Sequence, residues 1–279
     1  MVFKLVLLTL PLACLAGPVS HGETLTSVSG NLATTRLAER EAAKPSSYPL
    51  SPGPFPGEFL YVNWDPDADA DTLRKIHSAF KEAQDMAAQA LMKLTDDSEM
   101  GKSARARWFG EQASPEQQNN VFGNMYDARA GHASTIVSGM VLDKNDYWDK
   151  VDGKPYCEAF PTLNAYMRDY DGRFHICQRG LDKKLNSEIL CDDLDASCSL
   201  EMRSLSMIML HEWTHYDKIG SAAINEMQVG DYARGAYDCF KLDDDDKGEN
   251  AQNYAWFAGE IHWGMYCPKT FENPKEGIK

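Results

Sequence analysis

The sequence lacks an excess of basic residues. It has 28 Lys and Arg residues against 42 Asp and Glu residues, which gives a formal net charge of −14 at pH 7. Proteins that bind nucleic acids usually carry a basic face, because counterion release from phosphates drives that association. The charge balance, together with the lack of any basic run, therefore excludes nucleic acid as an expected partner.

Long hydrophobic runs are also missing. No stretch approaches the roughly 18 apolar residues of a membrane span. The apolar run 5–15 follows Lys4 and precedes the small residues Ala16 and Gly17, which is the pattern of a secretory signal peptide. We expect residues 1–17 to be a signal peptide, the protein to be secreted and extracellular, and membranes not to be among its partners.

The sequence has no CxxC spacing and no Asn-X-Ser/Thr sequon, which argues against a cysteine zinc site and against N-glycosylation. Seven cysteines are present, and Cys14 lies in the expected signal peptide. The remaining six, an even number in an exported protein, predict three disulfides. On sequence proximity, the expected pairs are Cys191–Cys198, Cys239–Cys267 and Cys157–Cys177.

The chain divides by composition into two parts after the signal. Residues 18–57 are polar and end in a segment with five prolines, so they cannot bury much apolar surface. We interpret them as a Pro-rich linker or a short pro-segment. Residues 58–279 are expected to form one domain, and we expect the protein to be a monomer.

Within 58–279, helical patterns dominate. Apolar residues recur at three- and four-residue steps from Leu73 to Leu94, which predicts an amphipathic helix over 69–94. Two short β-prone runs separated by Asp-Tyr-Asp-Gly predict a hairpin within 162–178. Further helices are predicted to begin at Ser114-Pro115 and to span 200–218 and 250–265. The expected fold class is α+β, mainly helical, with a small sheet or hairpin and disulfide stabilisation.

The segment His211-Glu212-Trp213-Thr214-His215 matches the pattern HExxH. Two histidines four residues apart on a helix lie above one another on the same face, where both imidazoles can bind one Zn²⁺. The glutamate can act as general base on a metal-activated water. The segment therefore predicts a zinc site with His211 and His215 as ligands and Glu212 as the catalytic base.

A catalytic zinc ion needs a third protein ligand. Lys218 stands where the HExxHxxGxxH pattern requires glycine, which excludes a third histidine of that type. Asp231, sixteen residues after His215, and Glu226, eleven residues after it, both remain candidates. Glu226 lies in Ala-Ile-Asn-Glu, which locally resembles the glutamate ligand motif of thermolysin-like proteases, although that spacing is short.

Several segments resemble the fungal deuterolysin and lysine-specific metalloendopeptidase family, the aspzincins. Asp231-Tyr-Ala-Arg-Gly235 is similar to the family's D-x-x-Y-G, Asn250-Ala-Gln-Asn-Tyr254 to N-A-D-x-Y, and Arg107-Trp-Phe-Gly110 to its W-F-G segment. The resemblance covers most of 58–279. It implies a zincin-like metalloprotease domain, a Zn²⁺ cofactor, Asp231 as third ligand, and a secreted endopeptidase acting on peptide or protein substrates.

The departures from that family concern functional positions. Arg234 replaces the tyrosine that steadies the oxyanion in the family, so Arg234 or Tyr237 would have to take this role. Gln252 and Ala255 stand where lysine-specific members carry acidic residues, and we expect strict lysine specificity to be absent. The same departures motivate an alternative function, a secreted zinc-binding effector or antigen-like protein with little or no proteolytic activity.

Overall fold

The computed structural model describes residues 60–110, 115–127, 140–146, 150–221, 229–267 and 269–277. The expected signal peptide and linker over 1–57 lie outside these residues. The described residues contain four strands: β1 Leu60–Val62, β2 Val141–Asp143, β3 Ala165–Arg168 and β4 Arg173–Ile176. The helices are α1 Ala70–Leu94, α2 Glu99–Phe109, α3 Pro115–Asp127, α4 Tyr156–Ala159, α5 Gln178–Leu181, α6 Leu205–Thr214, α7 Ala236–Lys241, α8 Asp244–Lys247 and α9 Ala251–Tyr266.

The helix α1 confirms the amphipathic pattern read from the sequence. Its apolar stripe, which includes Ile76, Phe80, Ala83 and Leu94, is buried. This stripe packs against α3, α6 and α9. Because helical residues three and four apart share one face, the whole stripe enters a single core. The helix α1 therefore packs behind α6, the helix that contains His211 and has His215 as its C-cap residue.

The four strands form one sheet in the order β1-β2-β4-β3. The hairpin predicted within 162–178 is confirmed, since β3 and β4 pair antiparallel with Ala165 opposite Ile176. Its turn contains Gly172 with a positive φ of 65°, a conformation that glycine adopts without strain. The strand β2 pairs in parallel with β4, and β1 pairs in parallel with β2. Neither β1 nor β2 was predicted from the sequence. At the edge of this sheet, β3 packs against α6.

The helix α6 is shorter than the predicted span 200–218. Ser204 begins it, because its hydroxyl oxygen accepts a hydrogen bond from the backbone N–H of Met207 at 3.0 Å. Residues 200–202 form a separate 3₁₀ turn before it. After Thr214 the chain tightens into bonds of the i to i+3 type, such as Tyr216 N–H to the Trp213 carbonyl. The helix thus ends at Thr214, and His215 follows as its C-cap residue.

The helices α2 and α9 are joined by a buried ion pair. The guanidinium of Arg107 donates to the carboxylate of Glu260, and both side chains are 5% exposed. Trp108 Nε1 donates to the other oxygen of the same carboxylate at 2.6 Å. Arg107 also donates to the carbonyl of Phe271 at 2.9 Å. This network fixes α9, predicted over 250–265, against α2 and against the C-terminal segment.

Two disulfides are present in the described residues, not three. Cys157–Cys177 is confirmed, but Cys191 pairs with Cys267 across 76 residues of sequence. The expected pairs Cys191–Cys198 and Cys239–Cys267 are therefore wrong, and both Cys198 and Cys239 are buried free thiols. Sequence proximity misled because the fold brings the 3₁₀ turn at 191–193 to the C-terminal end of α9.

Helices with a small mixed sheet and two disulfides define an α+β fold, in agreement with the predicted class. None of the helices in the described residues combines the length and the apolar character needed to cross a membrane.

Candidate metal centre

The two histidines of HExxH lie one turn apart at the C-terminal end of α6, His211 within the helix and His215 as its C-cap residue. Their ring centroids are 5.0 Å apart, and the two Nε2 atoms are separated by 3.3 Å. His211 is buried and His215 is partly buried. The four-residue spacing on a helix places both imidazoles on one side, so both Nε2 lone pairs can face the same point.

Asp231 reaches this point from the loop that precedes α7. Its Oδ1 lies 3.3 Å from His211 Nε2 and 3.6 Å from His215 Nε2, and its side chain is 29% exposed. The three atoms therefore form a nearly equilateral triangle. Glu226, the other candidate for the third ligand, lies outside the described residues.

The triangle has the dimensions of one face of a tetrahedral zinc site. Ligand atoms about 2.0–2.1 Å from a tetrahedral ion are separated from one another by about 3.3–3.4 Å. The separations of 3.3, 3.3 and 3.6 Å agree with that edge length. Two imidazole nitrogens and one carboxylate oxygen also form a donor set that zinc favours. The residues present thus fit a Zn²⁺ ion that has three protein ligands and an open fourth position.

Hydrogen bonds behind the triangle fix the orientation of two of its members. His215 Nδ1 donates to the backbone carbonyl of Val229 at 2.8 Å, so Nδ1 carries a proton and Nε2 is the ring nitrogen that faces the other ligands. Arg234 donates to Asp231 Oδ2 at 3.1 Å, which leaves Oδ1 for the metal. His211 Nδ1 is buried without a partner in the described residues.

Asn250 holds the loop that carries Asp231. Its side-chain oxygen accepts hydrogen bonds from the backbone N–H groups of Tyr232 at 2.9 Å and Ala233 at 3.3 Å. Its amide nitrogen donates to the carbonyl of Ala233 at 3.2 Å. The backbone N–H of Gly230 donates to the carbonyl of Glu249, and the carbonyl of Gly230 accepts from the N–H of Ala251. Asn250 is fully buried, so this clamp links Asp231 to the first turn of α9.

Charge coupling within the triangle shifts the pKa values of the metal-free protein. Burial alone would raise the pKa of Asp231, but hydrogen bonds from His211 and His215 hold it well below its ordinary value. Burial likewise disfavours protonation of His215, but the bond to Asp231 and the charge of Glu212 raise its pKa to about 9. Without a metal, Asp231 is therefore ionised at neutral pH, and the imidazole of His215 is protonated on both nitrogens and positively charged.

Glu212 lies beside the triangle but does not belong to it. Its Oε1 is 3.9 Å from His211 Nε2, and the residue is 5% exposed. Burial raises the pKa of this carboxyl, against the opposing effect of His211 and His215. Across the described residues no hydrogen-bond donor engages its carboxylate. Glu212 is thus free to exchange a proton with a group near the open position.

A cavity of about 420 Å³ opens in front of the triangle. One wall of the cavity is formed by Ala165, Tyr166 and Met167 of β3 and by Asn164, the residue before this strand. Arg234 lines this cavity, whereas Tyr237 is not among the lining residues and lies partly buried on α7. Of the two residues expected to act on an oxyanion, only Arg234 thus faces the cavity, and its guanidinium is bonded to Asp231.

Sequence reasoning did not single out two cationic residues of the cavity wall. Arg179 from α5 and Arg203 from the segment before α6 both line it, together with Gln252. Nothing in their local sequence pattern points to the site, because they reach it through the packing of the hairpin and α5 against α6.

A second group with metal-ligand spacing, Cys157, His175 and Cys177, also lies in the described residues. The two cysteines are joined in a disulfide and offer no thiolate. His175 Nδ1 bonds to the carbonyl of Asp143 at 3.0 Å. This group is therefore structural.

Comparison with known proteins found no match to a protein-family profile and none to a curated protein sequence. The resemblance to aspzincins thus rests on the motif residues, and the function is argued from the geometry of the site.

Proposed function

We propose that the protein is a secreted zinc-dependent endopeptidase with a zincin-like domain of aspzincin type. One observation carries this proposal: two imidazole nitrogens and a carboxylate oxygen lie 3.3–3.6 Å apart beside a buried, unengaged glutamate. Ion-pair networks that serve only stability do not need this spacing, whereas a three-ligand zinc site with an open position does. The cavity of about 420 Å³ gives a substrate access to that position.

His211, His215 and Asp231 would hold the zinc ion. When bound, Zn²⁺ supplies Lewis acidity, which polarises a carbonyl and lowers the pKa of water to about 7. Val229 and Arg234 orient two of the three ligands through the hydrogen bonds described above. The chain thus provides both the ligands and the groups that keep them in place.

Glu212 takes the proton of the attacking water as general base and returns it to the leaving amine as general acid. Its raised pKa, caused by burial, brings its proton affinity closer to neutrality than that of an ordinary glutamate. Because it has no hydrogen-bond donor in the described residues, the carboxylate can turn between the two positions. Cleavage of a peptide bond then needs no other titrating residue.

An extended peptide fits along β3. In the described sheet β3 is an edge strand, and residues 164–167 line the cavity beside the metal ligands. Edge strands bind extended peptides through main-chain hydrogen bonds, which depend little on substrate sequence. This supports a protein or peptide substrate cleaved internally.

Strict lysine specificity is not part of this proposal. Gln252 lines the cavity, and its side-chain oxygen accepts from the guanidinium of Arg203 at 3.5 Å. Ala255 is fully buried in α9. Neither position offers a negative charge to a substrate ammonium group.

The proposal is tested by zinc analysis and a protein-cleavage assay. Purified protein should contain one zinc per chain and cleave denatured casein, and a chelator should abolish the cleavage. The variant Glu212→Gln should retain the zinc but lose about 10²–10⁴-fold in kcat, the usual contribution of a general acid–base residue. Unchanged cleavage by Glu212→Gln would remove Glu212 from the mechanism.

A second function is favoured by the state of the residues expected to stabilise an oxyanion. Arg234 is bonded to Asp231, and Tyr237 does not line the cavity. A secreted zinc-binding effector or antigen-like protein without proteolysis would have these features. Stoichiometric zinc combined with no cleavage of casein or of a diverse peptide library would establish this alternative.

A further inference from the structure

Cationic side chains collect at one end of the cavity in a protein whose net charge is −14. Arg203 and Arg179 line the cavity wall, and Lys183 lies two residues beyond the end of α5. Burial lowers the pKa of Lys183, and the charges of Arg203 and Arg179 lower it further. Like charges gathered at one point need a compensating group.

Arg203 lacks such a group within the described chain. Burial lowers the pKa of its guanidinium, and Glu212 attracts it without forming an ion pair. The one hydrogen bond of its guanidinium in the described residues is the long contact of 3.5 Å to the neutral amide of Gln252. A partly buried guanidinium normally has a carboxylate or phosphate partner, because desolvation of an unpaired charge is unfavourable.

Arg179 is likewise without an acidic partner in the described part of the chain. Its guanidinium donates only to the backbone carbonyl of Pro161, at 3.3 Å. Two acids of the same cavity have other contacts: Asp231 bonds to Arg234, and Asp169 Oδ1 accepts from the backbone N–H of Tyr170 at 2.9 Å. The third, Glu212, attracts Arg203 through its charge but forms no hydrogen bond with either arginine in the described residues. The two arginines therefore present unused donors to the cavity.

From this arrangement we infer that Arg203 and Arg179 form a subsite for a carboxylate of the substrate, beside the metal centre. Guanidinium groups bind carboxylates through charge-assisted, often bidentate hydrogen bonds. The carboxylate comes either from an Asp or Glu side chain near the cleaved bond or from the C-terminus of a peptide. This inference rests on the proposed function and specifies its substrate class.

Cleavage specificity tests the subsite. The zinc-loaded protein is incubated with a peptide library, and mass spectrometry identifies the residues on each side of every cut. For pairs of peptides that differ only in Glu or Gln next to the cut, we expect kcat/KM to favour Glu by about tenfold or more, as for a charge-assisted hydrogen bond. Peptides with a free or an amidated C-terminus separate the two sources of the carboxylate.

Two variants assign the preference to the subsite. Arg203→Gln should reduce the preference for Glu to less than about twofold while cleavage of the Gln peptide persists, since the charge-assisted bond is lost. Arg203→Lys should retain part of the preference. Arg74→Gln removes an exposed arginine of α1, 72% exposed and outside the cavity, and should leave the preference unchanged.

Binding measurements separate failure of the subsite from failure of the proposed function. Acetyl-Ala-Glu-Ala-amide, acetyl-Ala-Gln-Ala-amide and acetyl-Ala-Gln-Ala with a free carboxylate are titrated into the Glu212→Gln variant by calorimetry. Tighter binding of either acidic peptide, abolished by Arg203→Gln, supports the subsite even if no peptide is cleaved. Equal binding of all three peptides, or cleavage without regard to acidic residues, overturns it.

Discussion

The residues of the metal centre differ in how well their positions in the site can be predicted from the sequence around them. The proximity of His211 and His215 follows from four-residue spacing on a helix, and the structure has their Nε2 atoms 3.3 Å apart. Asp231 was favoured through the family resemblance, and spacing alone left Glu226 open. Arg203 and Asn250 could not be assigned from sequence, because their contacts join segments that are distant along the chain.

Asn250 should act on the metal centre without touching the metal. Asn250→Ala removes the bonds that hold residues 232 and 233, so the loop carrying Asp231 loses its support. We expect zinc affinity to fall by about 10–100-fold, as for other groups that orient metal ligands. Competition with a chromophoric zinc chelator measures the affinity.

The control for this variant is Asn186→Ala. Asn186 is a buried asparagine like Asn250, but its amide contacts Met86 Sδ on α1, away from the triangle. Asn186→Ala should lower the free energy of unfolding and leave zinc affinity unchanged. Equal zinc affinity in both variants would contradict a positioning role for Asn250.

The pKa of His215 predicts a pH-dependent stability of the metal-free protein. Its folded pKa of about 9 lies above the ordinary histidine value of 6.5, so its contribution is complete below pH 6.5 and is lost as pH rises through 9. Asp231 has a lowered pKa, so its contribution is complete above the ordinary aspartate value of 3.8 and is lost progressively as pH falls below it. We expect the Tm of chelator-treated protein to fall between pH 6.5 and 9.

With zinc bound, His215 is a neutral ligand and this fall should disappear. His215→Gln should also remove it, in the presence or absence of zinc. Thermal unfolding followed by circular dichroism at a series of pH values measures all three samples. A metal-free Tm that stays constant over this pH range would contradict the coupling between His215 and Asp231.

At the scale of helices and strands, local pattern was sufficient wherever an element is stabilised by its own sequence. The amphipathic stripe of α1 and the turn between β3 and β4 gave the correct elements. The strands β1 and β2 have three residues each and pair in parallel across about eighty positions, so no local signal marks them. The helix α6 was predicted too long because its ends depend on the Ser204 cap and on the close approach of Gly220 to the Thr214 carbonyl.

The ion pair between α2 and α9 should dominate the stability of this helix contact. Glu260→Gln leaves the buried guanidinium of Arg107 without its countercharge, and we expect a loss of about 3–5 kcal/mol in the free energy of unfolding. Urea denaturation measures this quantity.

Glu272→Gln is the matched control, since Glu272 forms an exposed pair with Lys275 and is 59% exposed. Exposed pairs contribute at most about 1 kcal/mol, so this variant should remain close to the parent protein. If the two variants lost equal stability, burial would not be the source of the effect.

At the scale of the whole molecule, the cysteine framework could not be deduced from the sequence. Six cysteines allow fifteen pairings, and the choice depends on which chain segments meet in the fold. The pair Cys157–Cys177 was close enough in sequence to be predicted. Cys191–Cys267 requires the packing of the 3₁₀ turn at 191–193 against the end of α9, a tertiary contact.

The two free thiols should be unreactive until the protein unfolds. Burial raises the pKa of Cys239 to about 12 and also raises that of Cys198, where Glu260 adds to the effect. Thiolate is the reactive form, so iodoacetamide should leave both residues unmodified in native protein and modify both in denaturant. Peptide mass spectrometry without reduction should find the two disulfides intact. Rapid native modification of Cys198 or Cys239 would contradict their burial.

A single Zn²⁺ held by His211, His215 and Asp231 is tested most directly by anomalous diffraction at the zinc absorption edge. Crystals of the zinc-loaded protein should give one anomalous peak per chain, about 2.0–2.1 Å from both Nε2 atoms and from the carboxylate of Asp231. An anomalous peak next to other residues, or no peak in crystals grown in excess zinc, would contradict the metal centre and the hydrolase proposed from it.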